Sequence, residues 1–348
     1  MTAGMRALAL ERTGGPGELR LLELPVPPLA RPDDVRIRVR AAALNHLDLF
    51  VVEGLKGLTY SFPHVVGSDG AGVVEAVGPG VAGWRPGDEV LVNPGVACGE
   101  CDWCRAGEEP LCPRFAIVGE HRAGAAAEFL VVPAANLARK PAGMGWAAAA
   151  AYPLATLTAW RMLATRARVT SGETVLVRGI GGGVAQAAAR IARHLGARVI
   201  VTSTSAAKLA RARELFGVEG VEPGADLPAE VRRLTGGRGA DVVVDSVGEA
   251  TWPSSLRSLG RGGRLVTCGG TSGPMVTTDV RKLFWYQWSL LGSTMGTQAE
   301  FAAVARLAAE PALHPVVDAV LPLADGAEAF RRLAAGAQFG KLVLEVTP

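Results

Sequence analysis

The feature that most constrains this chain is a glycine run set between a buried strand and a helix. Thr174–Arg178 is an apolar strand, Gly179-Ile180-Gly181-Gly182-Gly183 follows it, and Val184–Leu195 has helical spacing. A second apolar strand, Ala197–Val201, comes directly after this helix. Parallel strands are joined by a long crossover, usually a helix. This succession therefore predicts a doubly wound parallel sheet and an α/β fold class.

The same alternation continues downstream of this unit. Ala206–Phe216 has the composition of a charged helix, and Asp241–Asp245 and Gly263–Thr267 are further apolar strands. The final stretch predicts two helices and a strand, near 301–310, 324–335 and 341–346.

The first 135 residues have a different character. Short alternating segments such as Val35–Arg40, Ala71–Gly78 and Glu89–Val92 are separated by Pro-Gly and Gly-Pro turns, and helical signals are scarce. These residues predict a compact, strongly bent β domain, and the character changes after Pro141.

The glycine run predicts a dinucleotide-binding turn. Glycine permits close approach of the backbone, and the helix N-terminus offers unpaired N–H groups to a pyrophosphate. The predicted cofactor-binding residues of the turn are Gly179, Gly181, Gly182, Gly183 and Val184.

The residues after the second strand bear on the choice of cofactor. NAD-binding units usually place an acid there, whereas this chain has Thr202-Ser203-Thr204-Ser205 and no acid before Glu214. A carboxylate would repel a 2′-phosphate. Its absence, together with Ser203 and the nearby cation Lys208, favours NADP(H) over NAD.

Four of the five cysteines are closely spaced, as Cys98-x2-Cys101-x2-Cys104-x7-Cys112. Disulfides and an iron–sulfur cluster are the alternatives to zinc for such a set. Four soft ligands from a loop suit tetrahedral zinc, and the fourth spacing and the β-rich surroundings favour it. A site filled by four cysteines has no open position, so we expect one structural zinc per chain.

Charge and hydropathy exclude other classes of protein. Lys plus Arg is 36 and Asp plus Glu is 33, with no block of five like charges, so a nucleic-acid partner is not expected. The longest charge-free window, Pro141–Trp160, is rich in Ala and contains Pro and Gly, which argues against a membrane span. The N-terminus has no long apolar core of a signal peptide. We therefore expect a cytoplasmic protein that acts on a small molecule.

Taken together, these motifs resemble the medium-chain dehydrogenase/reductase superfamily over essentially the whole chain. The matching segments are Gly67–Val74, the turn Arg85-Pro86-Gly87-Asp88, the four cysteines and Gly179–Ala185. The resemblance implies a GroES-like β-rich catalytic domain and a Rossmann domain, and a homodimer or homotetramer. We place the catalytic domain at residues 1–140, completed by about 295–348, and the Rossmann domain at 141–294.

The chain departs from the zinc alcohol dehydrogenases of this superfamily at the catalytic-zinc positions. Asn45 stands where they have a Cys, Ser68-Asp69 replaces their His-Glu pair, and Thr156 corresponds to their third ligand. Their proton-relay hydroxyl is Leu47 here. Because Asn, Ser and Thr are poor zinc ligands, we expect no catalytic zinc, and we interpret Asp69 as a structural acid and His46 as a pocket-lining or packed residue.

The Asn45-x-x-Asp48 pattern instead resembles the zinc-independent quinone oxidoreductase and enoyl reductase branch. The activity expected is hydride transfer from NADPH to a quinone or an α,β-unsaturated carbonyl compound. The alternatives are an alcohol dehydrogenase that binds zinc through unusual ligands and a catalytically silent NADPH-binding protein.

The expected roles of the site residues follow from this resemblance. Asn45 would hold a carbonyl oxygen or the nicotinamide ribose, and Asp48 would orient Asn45 or its loop. Further hydroxyls and a cation would contact the cofactor or substrate, namely Ser68, Thr156, Thr158 and, at the pyrophosphate, Lys341. The aromatic run Phe284–Trp288 is compatible with a substrate cleft, core packing or a subunit interface.

Overall fold

The structure is a computed structural model that describes residues 4–346. Its strands are β1 Gly4–Leu10, β2 Leu19–Pro25, β3 Asp34–Ala43, β4 His64–Val65, β5 Asp69–Val77, β6 Glu89–Val92, β7 Gly95–Val96, β8 Ala116–Ile117, β9 Phe129–Pro133, β10 Leu137–Arg139, β11 Thr174–Val177, β12 Arg198–Thr202, β13 Glu219–Val221, β14 Ala240–Val244, β15 Leu259–Thr267, β16 Ser289–Gly292, β17 Val317–Pro322 and β18 Lys341–Glu345. Its helices are α1 His46–Glu53, α2 Asp102–Arg105, α3 Trp146–Ala151, α4 Pro153–Trp160, α5 Gly183–His194, α6 Ala206–Phe216, α7 Leu227–Leu234, α8 Trp252–Ser258, α9 Val280–Trp285, α10 Gln298–Leu307 and α11 Gly326–Ala334.

The chain divides into two compact units. The first contains the residues up to 155 together with those from 296 onward, and the second contains residues 156–295. The first boundary lies later than the expected one at 140, because α3 belongs to the first unit. Ala149–Ala151 are buried there, and the Tyr152 hydroxyl donates to the Val304 carbonyl at 2.8 Å.

The first unit is built on a seven-stranded sheet. Its order is β10-β6-β5-β3-β18-β17, and β9 also pairs with β3. The alternation predicted for β3 is present, since Val35, Ile37 and Val39 are fully buried, whereas Arg38 is exposed. The β-rich character is confirmed, but the expectation of few helical elements missed α1.

The second unit is a six-stranded, wholly parallel sheet. Its order is β13-β12-β11-β14-β15-β16, which is the doubly wound order of a Rossmann fold. All four residues of β11 are buried, as expected of a strand covered on both faces. The predicted fold class is therefore confirmed. Within residues 4–346, no helix combines the length and apolar character that crossing a membrane requires.

Candidate active site, cofactor turn and cysteine centre

A cluster of buried polar residues lies in the first unit, where α1, β3, β5 and β18 meet. Strand β3 runs between β5 and β18, and its residue Ala43 is paired with Asp69 on one side and with Val343 on the other. This register brings the end of β3 and the beginnings of β5 and β18 together. The residues that follow or open these elements form what we call the lysine–aspartate cluster, namely Asn45, Asp48, Ser68, Asp69 and Lys341.

Lys341 is the only cation of this cluster, and its side chain is 3% exposed. Its Nζ donates to Asn45 Oδ1 at 2.6 Å and to Asp69 Oδ2 at 3.1 Å. Asn45 Nδ2 also donates to Asp69 Oδ2, at 2.9 Å, and the Leu154 backbone N–H donates to Asp69 Oδ1 at 2.9 Å. Both carboxylate oxygens of Asp69 thus accept hydrogen bonds within the protein, as expected of a structural acid. The contact of Lys341 with a pyrophosphate stays a prediction. The buried ammonium, bonded to Asn45 and Asp69, does not support it.

Asp48 occupies the first turn of α1 and is completely buried. Its Oδ2 accepts from the Asn45 backbone N–H at 2.7 Å, which makes the pair a capping box, and its Oδ1 accepts from the Ser68 hydroxyl at 2.8 Å. Burial raises the pKa of Asp48 to about 6, against the opposing effect of these hydrogen bonds and of Lys341. Asp48 is therefore in direct contact with Asn45, and its expected role in orienting Asn45 or its loop stays a prediction.

Three further residues were singled out in the sequence: Thr156 as catalytic, Thr158 as cofactor-binding and His46 as a pocket-lining or packed residue. Thr156 and Thr158 belong to α4 in the second unit, and each is 4% exposed. The Thr158 hydroxyl lies 3.9 Å from Met295 Sδ. His46 is exposed on α1, with its ring edge-on to Phe50. The predicted contacts of these threonines with nicotinamide or substrate stay predictions.

The glycine turn connects β11 to α5 in the second unit. Gly179 has φ +70°, in the region that favours glycine, and its N–H donates to Thr202 Oγ1 at 3.4 Å. Gln186 N–H makes the first bond of the helix, to the Gly182 carbonyl, so the N–H groups of residues 183–185 have no intrahelical acceptor. These amides and the tight turn are the donors that a dinucleotide pyrophosphate requires.

The predicted 2′-phosphate residues lie beside the same turn. A Cβ atom added at Gly181 would lie 3.0 Å from Lys208 Cδ and 3.2 Å from its Nζ. The Ser203 hydroxyl accepts from the Ser205 N–H at 3.1 Å, and Ser205 caps α6. The structure therefore gathers the turn glycines, Ser203 and Lys208 at the carboxyl edge of β11 and β12.

The four clustered cysteines have their Sγ atoms within 4.8 Å of one another. The Sγ of Cys104 lies 3.8 Å from that of Cys98 and 3.5 Å from that of Cys101. A Zn–S bond of about 2.3 Å implies about 3.8 Å between the sulfurs of a tetrahedron. Backbone N–H groups, above all that of Glu100, lower the pKa of Cys98 to about 6. The donor set thus fits one structural zinc, whereas none of these cysteines is in a disulfide.

Comparisons with known proteins agree with this geometry. Residues 31–142 match the alcohol dehydrogenase GroES-like domain, and residues 183–310 match the zinc-binding dehydrogenase family. A crystal structure of an NAD-dependent alcohol dehydrogenase is 48% identical with a TM-score of 0.95, over 99% of this chain and 100% of that one. An acryloyl-coenzyme A reductase of Metallosphaera sedula is 31% identical, over 89% of this chain and 92% of its own length. The 2-octenoyl-CoA carboxylase reductase CinF, solved with NADP and 2-octenoyl-CoA, is 29% identical with a TM-score of 0.90, over 99% of this chain and 88% of that one.

The fold, the glycine turn and the cysteine centre define a two-domain dehydrogenase. The chain belongs to the medium-chain dehydrogenase/reductase superfamily and is a nicotinamide-dependent oxidoreductase. The resemblance inferred from the sequence is confirmed.

Proposed function

We propose that this enzyme uses NADPH to reduce a quinone or a double bond conjugated with a carbonyl group, without a catalytic zinc. The observation that carries the proposal is the lysine–aspartate cluster. Lys341 supplies a fixed cation to Asn45, which stands at one of the catalytic-zinc positions of the alcohol dehydrogenases, and to Asp69, which follows Ser68 at a second such position.

The side chains of Asn45 and Ser68 already have hydrogen-bond partners. Asn45 Oδ1 accepts from Lys341, and the Ser68 hydroxyl donates to Asp48. A dication at the same place would meet a neutral amide and a hydroxyl instead of thiolate and imidazole, and it would be repelled by the buried ammonium. The cluster therefore supports a site that works without a Lewis acid.

The chemistry proposed is compatible with such a site. Oxidation of an unactivated alcohol passes through an alkoxide, whose charge a metal normally stabilises. In a conjugated system, a hydride added at the β carbon moves an electron pair onto the carbonyl oxygen, and a proton from solvent then reaches the α carbon. Bound NADPH supplies the hydride, and the protein contributes position and hydrogen bonds. The acryloyl-coenzyme A reductase and CinF, whose names state reduction of such substrates, support this choice.

The preference for NADPH rests on the glycine turn. Lys208 lies against Gly181, and the segment after β12 carries hydroxyls and no carboxylate. The NADP bound to CinF supports the proposal, whereas the name of the 48% identical relative points to NAD. Lys208→Gln should weaken NADPH binding about tenfold or more and leave NADH binding nearly unchanged, since a charge-assisted hydrogen bond contributes about 1.5–3 kcal/mol. Arg213→Gln, which removes a cation of α6 that pairs with Glu222 instead, is the matched control.

That 48% identical relative also favours a second candidate, an alcohol dehydrogenase acting on an alcohol/aldehyde pair. Metal content and a substrate panel separate the two. The proposed function predicts one zinc per chain and NADPH consumption with quinones, enones or enoyl thioesters. A second zinc per chain, with alcohol oxidation lost when that zinc is removed, would establish the alternative.

We further propose that the enzyme is a cytoplasmic homodimer or homotetramer.

A further inference from the structure

An irregularity in the second sheet lies beside a cavity that the dehydrogenase chemistry does not use. Strands β14 and β15 pair at Ala240 with Leu259, and next at Val242 with Arg264. Asp241 alone therefore faces residues 260–263. Glycines occupy three of these four positions, and the fourth is Arg261, which is exposed.

The cavity beside this bulge has a volume of about 470 Å³, which lies within the range of small-molecule sites. Its lining comes from the end of α7 and the loop that follows it, from the beginnings of β14 and β15, and from the residues just before β16. The glycine turn follows the opposite, carboxyl edge of the sheet. Strands of five residues, at about 3.3 Å per residue, separate the two edges by about 16 Å. The cavity is thus a different place from the cofactor turn.

Three arginines line the cavity, and two of them are held in position. Arg232 donates to the carbonyls of Pro228 and Arg257, at 3.3 Å and 2.9 Å. The Arg261 guanidinium lies 5.1 Å from the centre of the Tyr286 ring.

Tyr286 is itself fixed by its neighbours. Its ring stacks on Trp288 at 5.1 Å, and the Trp288 indole donates to the Gly260 carbonyl at 2.8 Å. The aromatic pair therefore supports an arginine as well as filling space.

The third arginine, Arg238, has no hydrogen-bond or ion-pair partner for its side chain within residues 4–346. The one carboxylate of the lining, Asp241, accepts from the Thr174 backbone N–H at 2.7 Å. The lining therefore has an excess of positive charge and at least one guanidinium available to a ligand.

We propose that this cavity binds a phosphate-bearing small molecule, at a site separate from the nicotinamide cofactor. Guanidinium groups present paired N–H donors that match the oxygens of a phosphate. The aromatic and carbonyl contacts hold two of these groups in place before a ligand arrives, which reduces the entropy lost on binding. The inference does not depend on which substrate the enzyme reduces.

Calorimetric titration with inorganic pyrophosphate tests the proposal, with the enzyme kept saturated with NADPH so that the glycine turn is occupied. We expect binding that Arg238→Gln and Arg261→Gln each weaken about tenfold or more. Both side chains are exposed, so the variants should fold. Arg281→Gln, which removes an exposed cation of the same unit outside the cavity, should bind as the unaltered enzyme does.

Asp241→Asn provides a test of opposite sign. Its side-chain oxygen can still accept from Thr174, but its negative charge is gone, so pyrophosphate should bind several-fold more tightly. Absence of binding to the NADPH complex would overturn the proposal. So would equal affinities of Arg238→Gln, Arg261→Gln and Arg281→Gln.

Discussion

Replacing Lys341 with methionine tests the lysine–aspartate cluster most directly. The substitution keeps an unbranched side chain but removes the ammonium that donates to Asn45 and Asp69. Coulomb's law for the 3.1 Å pair of Lys341 with Asp69, at an effective dielectric constant of about 20, gives about 5 kcal/mol. Removing one partner of a buried ion pair typically costs about 3–5 kcal/mol. We therefore expect the free energy of unfolding of the first unit to fall by about 3–5 kcal/mol.

Hydrogen exchange followed by mass spectrometry is the appropriate assay, because it reports on each unit separately. Peptides from β3, β5 and β18 should lose protection, whereas those from β11 and β14 should not. The substitution should also raise the pKa of Asp48 further above about 6, since Lys341 lowers it.

The double variant Lys341→Met/Asp69→Asn is the decisive control. If the cost arises from an uncompensated carboxylate, removing that charge as well should recover part of the lost stability, so the two effects should not add. A loss below about 1 kcal/mol for Lys341→Met, or simple additivity in the double variant, would refute the reasoning.

Four further predictions concern the other sites. Burial raises the pKa of Asp48 from 3.8 to about 6. Between these two values the folded chain binds more protons than the unfolded chain. The stability that protonated Asp48 contributes is therefore lost as the pH rises through this range. The free energy of unfolding should fall by about 2 kcal/mol between pH 4 and 6, and a denaturation series should show this fall abolished in Asp48→Asn. Cys104→Ser should reduce the zinc content from one per chain to almost none and lower the melting temperature, whereas unchanged metal would contradict the assignment. Gly181→Val should displace Lys208 and weaken NADPH binding more than NADH binding in a thermal-shift titration. Native mass spectrometry should find a homodimer or homotetramer, and a monomer would contradict that proposal.

Much of the second unit was predictable from the sequence. Its parallel strands are buried on both faces, so they appear as apolar runs such as Thr174–Val177, and the helix Ala206–Phe216 was predicted with its observed bounds. The cysteine centre was equally clear, because its four ligands lie within fifteen consecutive residues. Local patterns suffice where the interacting residues are close in the sequence.

The lysine–aspartate cluster was predictable only in part. Asn45 and Asp48 were selected through the family resemblance, although their three-residue spacing is also the signature of a capping box. That signal would have revealed α1. The partnership of Lys341 with Asp69 had no local signal, because it depends on the register of β18 against β3, nearly three hundred residues away in the sequence.

The position of β18 has a consequence for the order in which the protein is assembled. This strand lies between β3 and β17, so a segment late in the sequence completes the middle of the sheet. While the chain is being synthesised, every strand of the second unit becomes available before β18 does. Until then, the edges of β3 and β17 lack this partner and are open to pairing with other chains.

The positive charge of the lysine–aspartate cluster is also synthesised late. Asp48 and Asp69 are made early, but the only cation of their cluster arrives with residue 341. A nascent first unit therefore cannot bury both carboxylates in ionised form at low cost. We therefore expect the first unit to complete its fold only after Lys341 has been synthesised, nearly three hundred residues after Asn45 and Asp48.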